Sequence, residues 1–271
     1  MITSKTFSIA GIGAINTIAY RPDGATGLLP TFMFITGLGE SGADPSKIYI
    51  HGPMHFIQAG WKPAFNVIGI QSNNIYGPLT LNGVQGVLNA LADPAYGIDW
   101  TKYYLTGLSY GAAALLGYIF QQSDVLFKRP AAVIPMSINM NPQSGSRYDA
   151  VYTLSGTDLR FKDIPSWAFC GTQDSFFTTM NKYWIALKKL GYIAQWTTAV
   201  EGHGPWDQWY DPAFKDAVVG SNIYDWALHY TAGVVVPPVV IPPVVVPTHL
   251  SLNLKDGKTF TEYTDGTYLL K

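Results

Sequence analysis

Continuous apolar runs alternate with longer segments of mixed polarity through most of the chain. Runs such as TFMFIT at 31–36 and FNVIGI at 65–70 lack regular polar alternation, which is typical of strands buried on both faces of a sheet. The runs predict strands at 15–20, 31–36, 65–70, 102–106, 132–137, 166–170 and 194–200. The intervening segments predict helices near 47–59, 82–92, 110–122, 177–190 and 213–230. Strands alternating with helices predict the α/β class, with a mostly parallel central sheet and helices on both faces.

A proline-rich segment divides the chain into three parts. The segment GVVVPPVVIPPVVVP at 233–247 cannot form a helix and favours polyproline II, so it predicts a semi-rigid linker. Residues 1–232 are then the main domain. Residues 248–271 contain two Asp-Gly turns between alternating residues, which is a hairpin signal. This tail is too short to bury its own core, and we interpret it as a β-hairpin-like appendage or a truncated module.

Composition and charge narrow the class of protein. The formal net charge is −1, from 17 basic and 18 acidic residues, which gives no reason to expect binding to nucleic acid or to an anionic membrane surface. No apolar run approaches the roughly 18–20 residues of a membrane span. Charged residues are only 13% of the chain and aromatic residues 14%. This composition favours an extracellular or cell-surface enzyme, or simply a large aromatic core; the start of the chain resembles strands more than a signal peptide.

The segment YYLTGLSYGAAALLGY contains a serine between two glycines at a predicted strand-to-helix junction. Glycines on both sides allow the sharp turn that exposes the hydroxyl of Ser109 at the head of the next helix. Because a helix amino terminus favours negative charge, this position also suits a developing oxyanion. Such a motif also occurs by chance in ordinary turns, so the hypothesis that Ser109 is a nucleophile depends on the rest of the chain.

Two further residues follow predicted strands at positions that suit catalysis. Asp174 lies just beyond the strand SWAFC, and His203 lies in the loop EGHGP beyond the strand that ends near residue 200. In an open α/β sheet, sites form beyond the carboxyl ends of the strands. Ser109, Asp174 and His203 also occur in the order Ser, Asp, His that a hydrolase triad of this fold requires. We therefore predict that they are the catalytic residues; the other histidines, at 51, 55, 229 and 249, are interpreted as packing or surface residues.

Acyl transfer through a serine also needs two preorganised N–H donors for the oxyanion. The backbone N–H of Tyr110, the residue after the predicted nucleophile, is one candidate. The loop GLGESG after the strand at 31–36 provides the other, and we assign it to the N–H of Leu38. Glycines on both sides of Leu38 let this loop approach the reacting atoms closely.

These motifs together resemble the α/β-hydrolase group that includes poly(3-hydroxybutyrate) depolymerases, feruloyl and acetylxylan esterases and phospholipase/carboxylesterase-like enzymes. The resemblance covers roughly residues 15 to 230 and depends on FITGLGESG, GIDWTKYYLTGLSYGA, IPSWAFCGTQD and GHGPWDQWYDP, in that order. Thr36 and Ser41 depart from the pattern, since the group usually has His and Arg there. The resemblance implies an α/β-hydrolase fold and a serine esterase. The short connection after AVIPMSINM leaves little or no room for a lid domain.

The predicted function is hydrolysis of carboxylic esters, short-acyl, aromatic or polymer-borne, through an acyl-enzyme and without a cofactor or metal. Trp206 and Phe176 are sequence neighbours of the predicted catalytic residues and are candidate substrate-binding residues; for Phe177 and Trp209, core packing explains the sequence at least as well. The predicted partner is a small-molecule or polymer-borne ester, with no nucleic acid and no membrane span. A peptidase of the prolyl-oligopeptidase type and a non-catalytic binding module are alternatives.

Overall fold

The structure is a computed structural model that describes residues 1–71, 81–120, 128–138 and 164–233, and three short strands beyond residue 248. Its first compact unit is Met1–Val236, and its second is Pro237–Lys271. The predicted linker lies outside the described residues apart from Gly233. Residues 139–163, on which the prediction about a lid depends, also lie outside them. Among the described residues, no helix combines the length and apolarity needed to cross a membrane.

One eight-stranded sheet forms the centre of the first unit, in the order β1-β2-β4-β3-β5-β6-β7-β8. The strands are β1 (Ile2–Ile9), β2 (Gly13–Tyr20), β3 (Leu29–Ile35), β4 (Asn66–Ile70), β5 (Ile98–Leu108), β6 (Ala132–Met136), β7 (Ser166–Gly171) and β8 (Ala194–Ala199). β2 pairs antiparallel with β1 and β4, and all the other neighbours are parallel. The predicted α/β class with a mostly parallel sheet is therefore confirmed.

Six α-helices accompany the sheet in the described part of the chain. They are α1 (Pro53–Gln58), α2 (Leu81–Ala90), α3 (Tyr110–Phe120), α4 (Phe177–Lys189), α5 (Trp206–Tyr210) and α6 (Ile223–Leu228). Short 3₁₀ helices occur at Pro45–Tyr49 and Pro94–Tyr96. The second unit contains an antiparallel three-stranded sheet in the order β11-β10-β9, made of β9 (His249–Asn253), β10 (Thr259–Tyr263) and β11 (Tyr268–Leu270).

The core lies on both faces of the central sheet, as the continuous apolar strands require. Along β3, Phe32 and Phe34 belong to one buried cluster, which also includes side chains of α1, α5 and α6. Met33 and Ile35 point to the opposite face and belong to a second cluster with α2, α3 and α4. Because successive side chains of a strand point to opposite faces, only an apolar run can fill both layers.

Two predicted helices are wrong in extent. The helix expected over 47–59 is interrupted at Gly52, whose φ of +77° lies outside the helical region, so that only a 3₁₀ helix and the short α1 form. The helix expected over 213–230 begins only at Ile223. Before it, the carboxylate of Asp216 accepts hydrogen bonds from the N–H groups of Val218 and Val219, which stabilises a turn instead. The Asn222 side chain then caps α6.

Candidate active site

Ser109 occupies a strained turn between β5 and α3. Its φ is +51°, a left-handed conformation that is uncommon for a residue with a side chain. Two backbone hydrogen bonds stabilise the turn. The Ser109 N–H donates to the Met136 carbonyl at 2.9 Å, and the Ser109 carbonyl accepts from the Ala113 N–H at 3.1 Å. Strain of this kind persists only where the surrounding structure over-determines it, and it concentrates at functional sites. The Ser109 side chain lies at the carboxyl edge of the sheet and is largely buried.

The backbone around this turn packs against the loop that follows β3. A Cβ atom added to Gly111 would collide with the carbonyl oxygen of Ile35 and lie 2.7 Å from that of Thr36. On the other side of the turn, a Cβ added to Gly37 would lie 2.5 Å from the side chain of Leu108. Glycine at these positions therefore allows the loop of residues 36–41 to approach the Ser109 turn more closely than side chains permit.

His203 connects the serine to a buried carboxylate. Its Nε2 lies 3.0 Å from Ser109 Oγ, and its Nδ1 lies 2.8 Å from Asp174 Oδ2. The Asp174 side chain is fully buried, whereas 37% of the His203 side chain is exposed. With an ionised Asp174 as acceptor, the network assigns the ring hydrogen to Nδ1. Nε2 then carries a lone pair that can accept the hydroxyl proton of Ser109.

The Asp174 carboxylate receives several donors in the turn after β7. Phe176 N–H donates to its Oδ1 at 2.9 Å, and the thiol of Cys170, the only cysteine of the chain, donates to Oδ2 at 3.6 Å. Burial by itself would raise the pKa of Asp174, but the hydrogen bonds from His203 and from Phe176 N–H outweigh burial, so the pKa is lowered. Asp174 is therefore a carboxylate at neutral pH.

The segments that carry Asp174 and His203 are bonded directly to each other. Gln173 N–H donates to the Glu201 carbonyl at 2.9 Å, two residues before His203. A Cβ added to Gly171 would collide with the carbonyl oxygens of Glu201 and Gly202. Since β7 and β8 are parallel neighbours, their following loops meet at the same edge of the sheet.

Aromatic rings flank His203 on two sides. The Phe176 ring lies 5.4 Å from the imidazole between centroids, and the Trp206 ring lies 5.1 Å from it, nearly perpendicular. Both side chains are partly exposed. Trp209 is buried against Phe169, and Phe177 packs on the core beside Trp196. Of the four aromatic residues, only Phe176 and Trp206 therefore lie against the imidazole.

The residues predicted to bind the oxyanion lie on the two packed segments described above. Tyr110 is the first residue of α3, so its N–H has no acceptor within the helix. Leu38 lies in the loop after β3, and 40% of it is exposed. Within that loop, the Ser41 hydroxyl donates to the Gly37 carbonyl at 3.1 Å, and Ser41 N–H donates to the Leu38 carbonyl at 3.0 Å. These two hydrogen bonds of Ser41 stabilise the loop that carries Leu38.

Sequence reasoning missed a second histidine–carboxylate cluster beside this site. His51, interpreted as a packing or surface residue, has its Nδ1 2.8 Å from Asp207 Oδ2 and its Nε2 3.9 Å from Glu40 Oε1. The three residues are far apart in sequence and carry no recognisable spacing. The one available signal was a carboxylate, Glu40, in a glycine-rich loop beside the predicted site. Nowhere in the described ranges do three or more His, Cys, Asp or Glu residues form a group that could hold a metal ion.

Several solved hydrolases have a similar fold. A thermostable esterase matches with a TM-score of 0.59 and 17% sequence identity, over 85% of this chain and 63% of that one. A ferulic acid esterase matches with a TM-score of 0.58 and 15% identity, over 78% of this chain and 93% of that one. A fluorophosphonate-binding serine hydrolase of Staphylococcus aureus matches with a TM-score of 0.58 and 17% identity, over 77% of this chain and 94% of that one.

The protein has the α/β-hydrolase fold, as its strand order and these similarities together establish. The chain spans less than two thirds of the length of the thermostable esterase, at 63%. No protein-family model matches the sequence, and no curated protein matches it either. Because one fold supports many activities, the activity has to be inferred from the site itself.

Proposed function

We propose that the protein is a serine hydrolase that cleaves carboxylic esters through an acyl-enzyme. Ser109 is the nucleophile, His203 the general base and acid, and Asp174 the residue that orients the imidazole. The observation that supports this most directly is the continuous chain of contacts from Ser109 Oγ through His203 to Asp174, with distances of 3.0 and 2.8 Å. The triad is recognised by such geometry and roles.

The reaction follows from the protonation states in this chain. His203 Nε2 accepts the hydroxyl proton while Ser109 Oγ attacks the ester carbonyl carbon, and Asp174 stabilises the imidazolium that forms. The same Nε2 then donates that proton to the departing alcohol oxygen, which leaves an ester of Ser109. Water, activated by His203 in the same way, hydrolyses this acyl-enzyme and regenerates the serine.

The tetrahedral intermediates carry a negative oxygen that needs preorganised donors. We assign these donors to the backbone N–H groups of Tyr110 and Leu38. The free N–H at the start of α3 and the close packing of Gly111 against the loop after β3 support the assignment. The amino-terminal end of α3 adds a favourable partial positive charge near the same oxygen.

Phe176 and Trp206 are proposed to contact the substrate. Both rings lie beside His203 and both remain partly exposed. The proposed substrates are short-acyl, aromatic or polymer-borne esters, and the similarity to a ferulic acid esterase supports testing aromatic acyl groups. Trp206→Ala should raise KM for at least one of these ester classes; an unchanged KM on all of them would contradict the assignment of Trp206.

The test is hydrolysis of a p-nitrophenyl ester series, from acetate to octanoate, together with labelling by a fluorophosphonate probe. The wild type should hydrolyse short esters and accept the label at Ser109. Ser109→Ala should lose the label and at least about 10⁴-fold in kcat while remaining folded. Ser8→Ala, an exposed serine on the edge strand β1, is the matched control and should behave like the wild type.

Two results would contradict the proposed function. Absence of both hydrolysis and labelling in a folded wild type would favour a binding module. Equal activity in the wild type and Ser109→Ala would show that another group performs the hydrolysis.

A further inference from the structure

The cluster around His51 connects two segments that are distant in sequence. His51 Nδ1 lies 2.8 Å from Asp207 Oδ2, and the next residue, Gly52, donates its N–H to Asp207 Oδ1 at 3.1 Å. Both oxygens of one carboxylate are therefore bonded by consecutive residues. Asp207 is the second residue of α5, so these bonds anchor the start of that helix to the segment between Pro45–Tyr49 and α1.

A second carboxylate faces the other edge of the His51 ring. Glu40 Oε1 lies 3.9 Å from His51 Nε2, and the Glu40 side chain is only 7% exposed. Glu40 belongs to the loop that carries Leu38, and its Oε2 is buried with no hydrogen-bond partner among the described residues. A buried carboxylate needs a compensating charge. When protonated, His51, with carboxylates facing both ring nitrogens, provides such a charge.

The local electrostatics agree with this geometry. The hydrogen bond to Asp207 raises the pKa of His51 above its ordinary value, against an opposing effect of burial. Burial would raise the pKa of Asp207, but the hydrogen bond and charge of His51 lower it. His55, on α1, is the other titratable group whose charge acts on Asp207. The pair is therefore favoured in its charged form.

Trp206, the first residue of α5, contacts both His51 and His203. The indole ring packs against two imidazoles, 5.3 Å from the centroid of His51 and 5.1 Å from that of His203, at interplanar angles of 70° and 87°. A Cβ added to Gly204 would collide with the same indole ring. Trp206 therefore packs against both the backbone beside His203 and the ring of His51. A shift of α5 would displace the ring that packs against His203.

We propose that His51, bonded to Asp207 and facing Glu40, is a positioning residue for the candidate active site. It anchors α5, and with it Trp206, beside the loop that carries Leu38, and it thereby holds His203 in register with Ser109. This inference rests on the proposed function. It assigns no contact with substrate to His51, Asp207 or Glu40.

Kinetics of His51→Ala, His51→Asn, Asp207→Asn and the double variant His51→Ala/Asp207→Asn test the role of His51. His51→Ala should lower kcat for p-nitrophenyl acetate by about tenfold, because displacement of His203 relative to Ser109 lowers kcat, and KM should rise only for those esters whose KM also rises in Trp206→Ala. His51→Asn, whose amide N–H can replace Nδ1–H toward Asp207, should recover most of the loss. Asp207→Asn combined with His51→Ala should cost no more than the larger single effect, since the two act through one contact.

The matched control is His55→Asn. His55 is also a half-buried histidine of this segment, but its Nδ1 contacts the nearby Tyr49 carbonyl at 3.3 Å instead of a carboxylate of α5. This variant should retain the kcat of the wild type. Loss of activity that is strictly additive in the double variant, or equal in His51→Ala and His55→Asn, would overturn the proposal and indicate general destabilisation.

A readout independent of hydrolysis separates this proposal from the proposed function. The imidazole NMR signals of His203 should shift in His51→Ala and in Asp207→Asn, because the Trp206 ring moves, and should stay unchanged in His55→Asn. If His203 signals do not move in the first two variants, the positioning role is wrong even if Ser109 labels normally. If they do move but the wild type neither labels nor hydrolyses esters, the proposed function fails and the positioning contact stands.

Discussion

Two His–Asp pairs among the described residues have the same distance of 2.8 Å between Nδ1 and Oδ2, in different surroundings. In the pair of His203 and Asp174, the carboxylate is fully buried and the second ring nitrogen faces the hydroxyl of Ser109. In the pair of His51 and Asp207, the carboxylate is 37% exposed and the second ring nitrogen faces the carboxylate of Glu40. The distance between histidine and aspartate is therefore no guide to the role.

The two pairs differ in the chemical group that faces the second ring nitrogen, Nε2. In the proposed mechanism, Nε2 of His203, which faces a hydroxyl, has to hold a lone pair in order to accept the proton of Ser109. In His51, Nε2 faces a carboxylate, which favours the protonated ring and agrees with the raised pKa of this histidine. One pair can transfer a proton during a reaction, while the other is suited to holding two loops together.

The difference between the two pairs is tested most directly by removing the charge of Asp174 and of Asp207 in separate variants. Asp174→Asn should lower kcat/KM for p-nitrophenyl acetate by about 10⁴-fold, because an amide stabilises the wrong imidazole tautomer and cannot stabilise its cation. Asp207→Asn should lower it by only about tenfold, because it affects positioning alone. Measured side by side on folded proteins, losses of similar size would show that the two pairs are functionally equivalent.

A second experiment disturbs the Ser109 turn and leaves the His51 pair in place. Gly111→Ala places a methyl group against the carbonyl oxygens of Ile35 and Thr36, and should lower kcat about 100-fold and the free energy of unfolding by ~2 kcal/mol. Gly117→Ala, in the same helix, meets nothing within 4 Å and should stabilise the protein by ~0.5–1 kcal/mol. Denaturant titrations and ester assays of both variants provide the measurement.

The Gly111→Ala variant also tests whether the two His–Asp pairs are coupled. The NMR titration of His51 should be the same in Gly111→Ala as in the wild type, since Gly111 contacts the loop through Ile35 and Thr36 rather than through Glu40. A changed titration of His51 would mean that the two pairs are coupled through that loop.

The pH dependence of stability distinguishes the pairs further. The pKa of His51 is raised in the folded protein. Its contribution to the free energy of unfolding is therefore fully present below the ordinary pKa of 6.5 and is lost as the pH rises through the folded-state pKa. The Tm difference between the wild type and His51→Asn should therefore be larger at about pH 6 than at about pH 9. A difference that is constant across this range would show that the pKa of His51 is the same in the folded and the unfolded protein.

The lowered pKa of Asp174 affects stability at acidic pH. The contribution of Asp174 to the free energy of unfolding is present above its ordinary pKa of 3.8 and is lost as the pH falls through the lowered folded-state pKa.

The smallest expected effect concerns the donors to Asp174. Cys170 contributes the longest of its contacts, at 3.6 Å, and burial strongly raises the pKa of the thiol, which stays protonated and unreactive. Cys170→Ala should change kcat by less than about threefold, because the bonds from His203 and Phe176 N–H remain. A loss near that of Asp174→Asn would mean that the thiol is needed to hold the carboxylate.

Sequence periodicity was sufficient for the fold class because a strand buried on both faces must be apolar throughout. β3, β4 and β6 are recognisable for this reason, and the predicted strands overlap those of the structure. Helix ends were less predictable. The segment over 47–59 has apolar spacing, but Gly52 interrupts it with a positive φ and lies against the Phe34 ring of the sheet, a contact that the local sequence does not show.

What the sequence determined about the site is the residue types that follow each strand: Ser109 in its glycine turn, Asp174 after β7 and His203 after β8. Strand order and long-range packing decided the rest. His51 and Asp207 are 156 residues apart, and no local pattern predicts that they meet. Local hydrogen bonds and apolar spacing leave a signal within a few residues, whereas contacts between distant loops exist only once the sheet order brings them to one edge.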